Sequence, residues 1–353
     1  MPTQKVPAIR KRSTQWSTPV WAIAGVIVGV LVTVAWLNPQ LLGTHVPELE
    51  ANARSLARPM FREPVRGAPG KLTHPLLTCS SEPAEATDLA ELQAGVRKLI
   101  EDARHRGVLR AAVHISDLET CHWFEIGSGE RFHPASIMKL PLALTWLRRA
   151  SQDGNVLAKQ LLYDVPESAE TREDQTLPSA LVRGQRYEVA DLLRRMLVDS
   201  RNDAKYLLTR NVPVAALDEI WTDLGLVPPT PDRDTEVDVH AIALMLHALY
   251  DGAWLGRETS ERALGWLAEA TYARGLTAQL PPGAVVAHKY GRRVRAAATP
   301  GAWQLQLHDC GVLYRPGHPV VVCAMTEGVN EAAQERLIQE IAALAWSSPQ
   351  VGN

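Results

Sequence analysis

Apolar and polar positions divide this 353-residue chain into stretches of different character. Residues 19–37 read PVWAIAGVIVGVLVTVAWL, without a charged side chain. A helix of that length is about long enough to cross the hydrocarbon layer. Residues 38–86 are rich in Pro and polar side chains, and their apolar positions follow neither the helical nor the strand period, so they read as a tether. Periodic order begins at residue 87. Thr87 or Asp88 is placed to cap a helix, Glu91 suits its first turn, and Leu89, Leu92, Val96, Leu99 and Ile100 form an apolar stripe that stops before Gly107.

Beyond that helix, 108–115 and 121–126 carry the β-branched and aromatic content of a strand pair. Residues 136–273 are dominated by helical patterns such as LPLALTWLRRA, EVADLLRRMLVD and VDVHAIALMLHALYD. Strand patterns return at 284–290, 303–307, 311–314 and 320–325, and a helix over 330–346 closes the pattern, leaving 348–353 as a tail. Strands separated by a helical block must share one sheet to bury their apolar faces. The predicted fold class is therefore α+β: an antiparallel sheet flanked by the terminal helices over 87–347, with an all-helical subdomain beside it. The cleft between the two is the natural place for a site.

Charge refines the N-terminal reading. Lys5, Arg10, Lys11 and Arg12 precede the apolar run, and Trp16, Trp21 and Trp36 sit near its ends, where indoles prefer the interface. The expectation is an uncleaved, single-pass transmembrane helix with 1–18 as a cytoplasmic tail and the folded domain outside the cytoplasmic membrane, since NPQLLGTH after the run offers no A-x-A-like cleavage site. Gly25 and Gly29 have GxxxG spacing, a weak signal for packing of two anchors. A formal net charge of -2 gives no field that would gather nucleic acid. A small-molecule or peptide substrate fits better.

Cys79, Cys121, Cys310 and Cys323 show no C-x-x-C spacing and no Cys/His grouping, so no zinc motif is visible. An exported chain with four cysteines permits one or two disulfides. If 315–318 (RPGH) is a hairpin tip, Cys310 and Cys323 face each other across it; two buried free thiols fit the pattern as well.

Three short motifs carry the chemistry. Ser136-Ile137-Met138-Lys139 is the chain's one S-x-x-K, and it opens the first helix after the strand pair. Residues three apart share a helix face, so the lysine amine can reach the serine hydroxyl and take its proton. To act as a base the lysine must be neutral, which burial or a neighbouring positive charge promotes. Ser200-Arg201-Asn202 follows a helix, and Lys289-Tyr290-Gly291 ends a strand. Each also has a plain structural reading: a capping serine with a surface lysine, a helix-terminal cap and a turn residue, a solvated strand end. Their joint occurrence argues otherwise, in a chain with only 8 lysines against 29 arginines.

The order S-x-x-K, S-x-N, K-x-G, with PASIMKLPLALTWL around the serine and HDCGVLYRPGHPVVVCAMTEG after the third motif, resembles the class A β-lactamase and penicillin-binding serine hydrolase superfamily over residues 88–346. The resemblance implies that Ser136 is acylated, Lys139 is its general base and Ser200 relays a proton to the leaving nitrogen. It further implies that Asn202 touches the substrate amide and helps hold Lys139. Lys289 would supply positive charge for the substrate carboxylate, Gly291 would leave room for substrate, and the backbone N–H groups of Ser136 and Arg292 would form an oxyanion hole. No cofactor or metal is implied. The substrate would be a β-lactam or a peptidyl-D-Ala, with D-Ala-D-Ala carboxypeptidase or esterase activity, or a non-catalytic β-lactam or cell-wall binding module, as alternatives.

The chain departs from the family in several places. Tyr290 replaces a small hydroxyl residue, which would alter carboxylate recognition, and Arg201 stands where Asp is common. Pro141 falls within the first two turns of the nucleophile helix, where it is expected to kink it. The helical pattern over 217–226 is followed only by VPPTPDRDTE, so the long loop that carries the water-activating glutamate of class A enzymes looks largely deleted. Asp234 and Glu236 lie nearby but read as helix caps. Acylation without rapid deacylation is the expectation.

Overall fold

The computed structural model describes residues 70–74, 89–164, 180–229, 235–296 and 303–348. The expected cytoplasmic tail, the membrane helix at 19–37 and the caps Thr87 and Asp88 lie outside the described residues, as does Asp234. Among the described residues no helix is long and apolar enough to cross a membrane.

The chain enters through α1 (Ala90–Arg104), whose residues Leu92, Val96, Ile100 and Ala103 are buried along one face. It then builds β1 (Val108–Asp117) and β2 (Trp123–Ile126), followed by a 3-10 turn (Ala135–Met138) that runs directly into α2 (Lys139–Gln152). A small ladder, β3 (Gln160–Leu162) with β4 (Arg186–Glu188), leads to five helices: α3 (Val189–Val198), α4 (Asn202–Arg210), α5 (Val214–Asp223), α6 (Val239–Asp251) and α7 (Arg257–Ala268). The main sheet is completed by β5 (Val286–Ala296), β6 (Trp303–Leu313) and β7 (Val320–Gly328), and α8 (Glu331–Ser347) closes the domain. The five-stranded sheet has the order β2-β1-β7-β6-β5 with antiparallel neighbours, so β2 and β5 are its edges.

Alternation along β7 shows why this sheet forms. Val320, Val322 and Ala324 join the core under α1 and α8, whereas Val321, Cys323 and Met325 join the core shared with the helical subdomain. A strand apolar on both faces belongs at the centre of a sheet covered on both sides. Cys310 and Cys323 are directly opposed in the β6–β7 register and form a disulfide. That bond settles the free-thiol alternative for this pair, and Cys121 is also disulfide-bonded.

Several expected boundaries move. The runs at 303–307 and 311–314 are one strand, β6. His308 and Asp309 interrupt the apolar pattern, yet both are buried and satisfied: His308 Nε2 lies 3.0 Å from His133 O, and Asp309 accepts from Leu276 N and pairs with His288. Leu89 occupies the position before α1, with no side-chain cap. Pro141 does not interrupt α2, because that helix begins at Lys139 and its third residue needs no intrahelical N–H bond. Asp238, not Glu236, caps α6, accepting from Ala241 N at 2.9 Å. Residues 70–74, within the stretch read as tether, dock on α7: Glu261 Oε1 accepts from Leu72 N, Thr73 N and Thr73 Oγ1, each at 2.8 Å.

Candidate active site

The three motifs meet where the 3-10 turn, the α3–α4 connection and edge strand β5 adjoin. Ser136 is half-buried in the turn, and Lys139 is the first residue of α2, one turn onward. The approach to Ser136 is tightly determined. Ala135 has a left-handed φ of 50°, its N–H donates to His133 Nδ1 at 3.1 Å, and His133 O faces His308 Nε2. Thr326 N donates to His308 Nδ1 at 3.2 Å, which assigns the ring hydrogen to Nε2 and makes it the donor to His133 O. Burial holds the His308 pKa down at about 4, so the ring stays neutral through the neutral range.

Lys139 is 1% exposed, which excludes the surface-lysine reading. Its Nζ donates to Asn202 Oδ1 at 2.8 Å, to Ser200 Oγ at 3.2 Å and to the Ser200 carbonyl. Ser200 lies between α3 and α4 with a φ of 57°, a conformation that turns its carbonyl and its hydroxyl toward the lysine together. Arg201, wholly buried, is turned to Asp203 through Nε and Nη2, and Asp203 also accepts from Leu181 N. The middle residue of the second motif thus braces the helical subdomain, while its two neighbours bond Lys139.

Strand alternation gives Lys289 and Gly291 a common face. Gly291 lies so close to the turn that a Cβ there would come within 2.5 Å of Pro134 O and 3.1 Å of Ile137 N, the backbone on either side of Ser136. Lys289 is 1% exposed, so it is no solvated strand end. Burial lowers its pKa to about 7, against the pull of Asp309 and of Asp199, the residue before Ser200. Its ammonium lies 4.6 Å from the Tyr290 ring centroid, and Tyr290 stacks on Tyr272 at 4.0 Å. The Arg292 guanidinium is engaged by Glu331 at the start of α8, at 2.7 and 2.9 Å.

All eight residues singled out in the sequence fall in this region or on the strand that borders it. Sequence reasoning missed His133, His308 and Asp199, whose contributions arise from contacts between distant segments and leave no local pattern. Chemically, the arrangement offers a serine hydroxyl one helical turn from a buried amine, a second hydroxyl bonded to that amine, and a buried lysine on the adjoining strand.

Fold and site together define a serine hydrolase of the β-lactamase or D,D-peptidase type. The chain belongs to the beta-lactamase enzyme family, whose model matches residues 91–348. Its structure is similar to a β-lactamase from Chitinophaga pinensis, at 20% identity and a TM-score of 0.60, over 72% of this chain and 98% of that one. It is also similar to the TLA-1 extended spectrum β-lactamase (18% identity, TM-score 0.63, 74% and 99% covered) and to PBP-A (19%, 0.59, 72% and 95%). At these identities the likeness is one of fold. No curated protein sequence matches the chain.

Proposed function

We propose that this chain is a membrane-anchored, extracytoplasmic enzyme that forms an acyl-enzyme at Ser136 with a β-lactam and releases it slowly. Lys139, as the neutral amine, takes the Ser136 proton and becomes the ammonium as the hydroxyl attacks the lactam carbonyl. Ser200 passes a proton to the departing nitrogen, and Asn202 holds Lys139 and the substrate amide. Lys289 attracts the substrate carboxylate, the Ser136 and Arg292 backbone N–H groups stabilise the oxyanion, and Gly291 leaves space for substrate, with Tyr290 forming an aromatic border. The observation that carries this reading is the buried Lys139 amine, one helical turn from Ser136 in the chain and bonded to both Ser200 and Asn202.

Slow release is favoured by the sequence between α5 and α6, where VPPTPDRDTE replaces the long loop that carries the water-activating glutamate in class A enzymes. A variant of the similar PBP-A is known as an acyl-enzyme complex with penicillin G, which makes a D,D-peptidase-like use of the same site the second reading. Membrane attachment is supported by the uncharged run at 19–37 and the basic residues before it. Mixing the full-length chain with a fluorescent penicillin and following release after a chase tests the kinetic claim. A stable adduct with a release half-time of minutes or longer is expected, and rapid multiple turnover without a trapped adduct would overturn it.

A further inference from the structure

At the sheet edge opposite β5, the face of β1 and β2 toward α6 carries a second group of chemistry-bearing side chains. His114 and Glu125 are directly opposed in the β1–β2 register, and His240 reaches the same carboxylate from the first turn of α6. Nδ1 of each imidazole lies 2.9 Å from Glu125 Oε1. One donor atom from each residue falls within 4.8 Å of the other two. Trp123 walls the group, stacked on His114 with centroids 5.4 Å apart and lying 5.6 Å from the His240 ring. The His114, Glu125 and His240 side chains are 4%, 13% and 35% exposed, so the group is buried at its base and open to water on one side.

We propose that His114, Glu125 and His240 form a binding site for a divalent transition-metal ion of the zinc class, with a solvent-facing position left for water. Two imidazoles and one carboxylate are donors that suit borderline ions such as zinc, whereas calcium and magnesium require oxygen ligands throughout. Metal–ligand bonds of about 2.0–2.2 Å at the tetrahedral angle set donor atoms roughly 3.3–3.5 Å apart. To admit the ion, the two 2.9 Å contacts of the carboxylate need to lengthen by about half an ångström, and the two imidazole nitrogens, which lie within 4.8 Å of each other, need to settle at that same spacing. The site stands apart from Ser136: β2 and β5 are separated by four inter-strand spacings, about 19 Å. An ion here would clamp the free edge of the sheet to α6 and stabilise the folded chain by mass action.

The test uses the untagged full-length chain, equilibrated with zinc, freed of excess by dialysis and counted by elemental analysis, with affinity measured against a chromophoric chelator. One zinc per chain is expected, together with a rise in thermal unfolding midpoint on zinc addition. His240→Ala and Glu125→Gln should each weaken binding at least about tenfold and abolish the midpoint rise while penicillin labelling of Ser136 persists. His240 is the most exposed of the three residues, so its variant keeps the test decisive if a change at buried His114 prevents folding. Zinc well below one per chain, or equal affinity in wild type and His240→Ala, would overturn the proposal.

Discussion

Lys139 Nζ donates a 2.8 Å hydrogen bond to Asn202 Oδ1, joining two residues 63 positions apart in the chain inside the domain. That bond orients the amine and links the helix of the first motif to the connection of the second. Asn202→Ala is expected to slow acylation by a labelled penicillin about 2- to 10-fold, since an ordinary hydrogen bond contributes about 0.5–1.5 kcal/mol. Lys139→Arg, which keeps positive charge but cannot supply a neutral base, should slow acylation about 10²- to 10⁴-fold. Stopped-flow or quenched labelling measures both, and a Lys139→Arg rate within threefold of wild type would remove the lysine from the base role.

Gly291 carries a steric prediction. Any side chain there collides with Pro134 O and Ile137 N, so Gly291→Val must displace either the edge strand or the turn bearing Ser136. Overpacking of this kind costs about 1–3 kcal/mol in stability. A larger proportional loss in acylation than in stability is expected, because the displaced backbone flanks Ser136, the proposed nucleophile. Thermal unfolding and acylation rates measured on the same preparation compare the two.

Lys289 should set the alkaline limb of the reaction. With its pKa lowered to about 7 by burial, it loses its charge as pH rises through 7, and attraction for a substrate carboxylate falls with it. The second-order rate of acylation should therefore decline above about pH 7, and Lys289→Arg should shift that decline to higher pH. The same shift acts on stability in the opposite sense. Between about pH 7 and the unfolded value near 10.4 the unfolded chain binds the extra proton, so this residue makes stability rise with pH in that window. A rate profile unchanged in Lys289→Arg would separate the lysine from the alkaline limb.

His308 predicts acid sensitivity. Its folded pKa of about 4 lies below the unfolded value near 6.5, so between those limits the unfolded chain binds more protons and stability falls as pH drops. The loss from this one ring is on the order of 3 kcal/mol by pH 4. Because His308 holds His133 O, loss of penicillin acylation should accompany the fall. Denaturant melts of wild type and His308→Gln from pH 7 to 4 check this, and identical acid dependence would contradict it.

Burial also raises the Asp251 carboxyl at the end of α6 to about 7, where the negative end of the helix adds no help. The folded chain binds the proton more tightly than the unfolded one between about pH 4 and 7, so this residue costs stability as pH rises through that range and the full cost persists above it. Asp251→Asn is expected to raise the unfolding midpoint at pH 8 by several degrees and to have little effect at pH 4. Equal midpoints at pH 8 would show the carboxyl to be better solvated than its surroundings indicate.

How far the sequence reveals the molecule differs between sheet and site. The central strand β7 was visible because six successive residues from Val320 are apolar, and α1 because Leu92, Val96 and Ile100 keep helical spacing. The middle of β6 was not, because buried polar residues such as His308 and Asp309 look like loop until their partners on other segments are known. The motif serines and lysines stood out by type, order and rarity. What the linear pattern could not contain was the bracing around them: the His133–His308 bond, the Arg201–Asp203 pair and the Asp199 field on Lys289 all depend on tertiary contact. The His114–Glu125–His240 group was hidden for the same reason, since its members lie 11 and 115 residues apart.

The central claim is that Ser136 is the atom-bearing nucleophile of a pocket assembled by Lys139, Ser200 and Lys289. Intact-mass measurement of the chain after incubation with benzylpenicillin, followed by peptide mapping, tests it most directly. The account predicts a single penicilloyl adduct on the peptide containing Ser136, and none in Ser136→Ala. An adduct on another residue, or one that survives in Ser136→Ala, would contradict it.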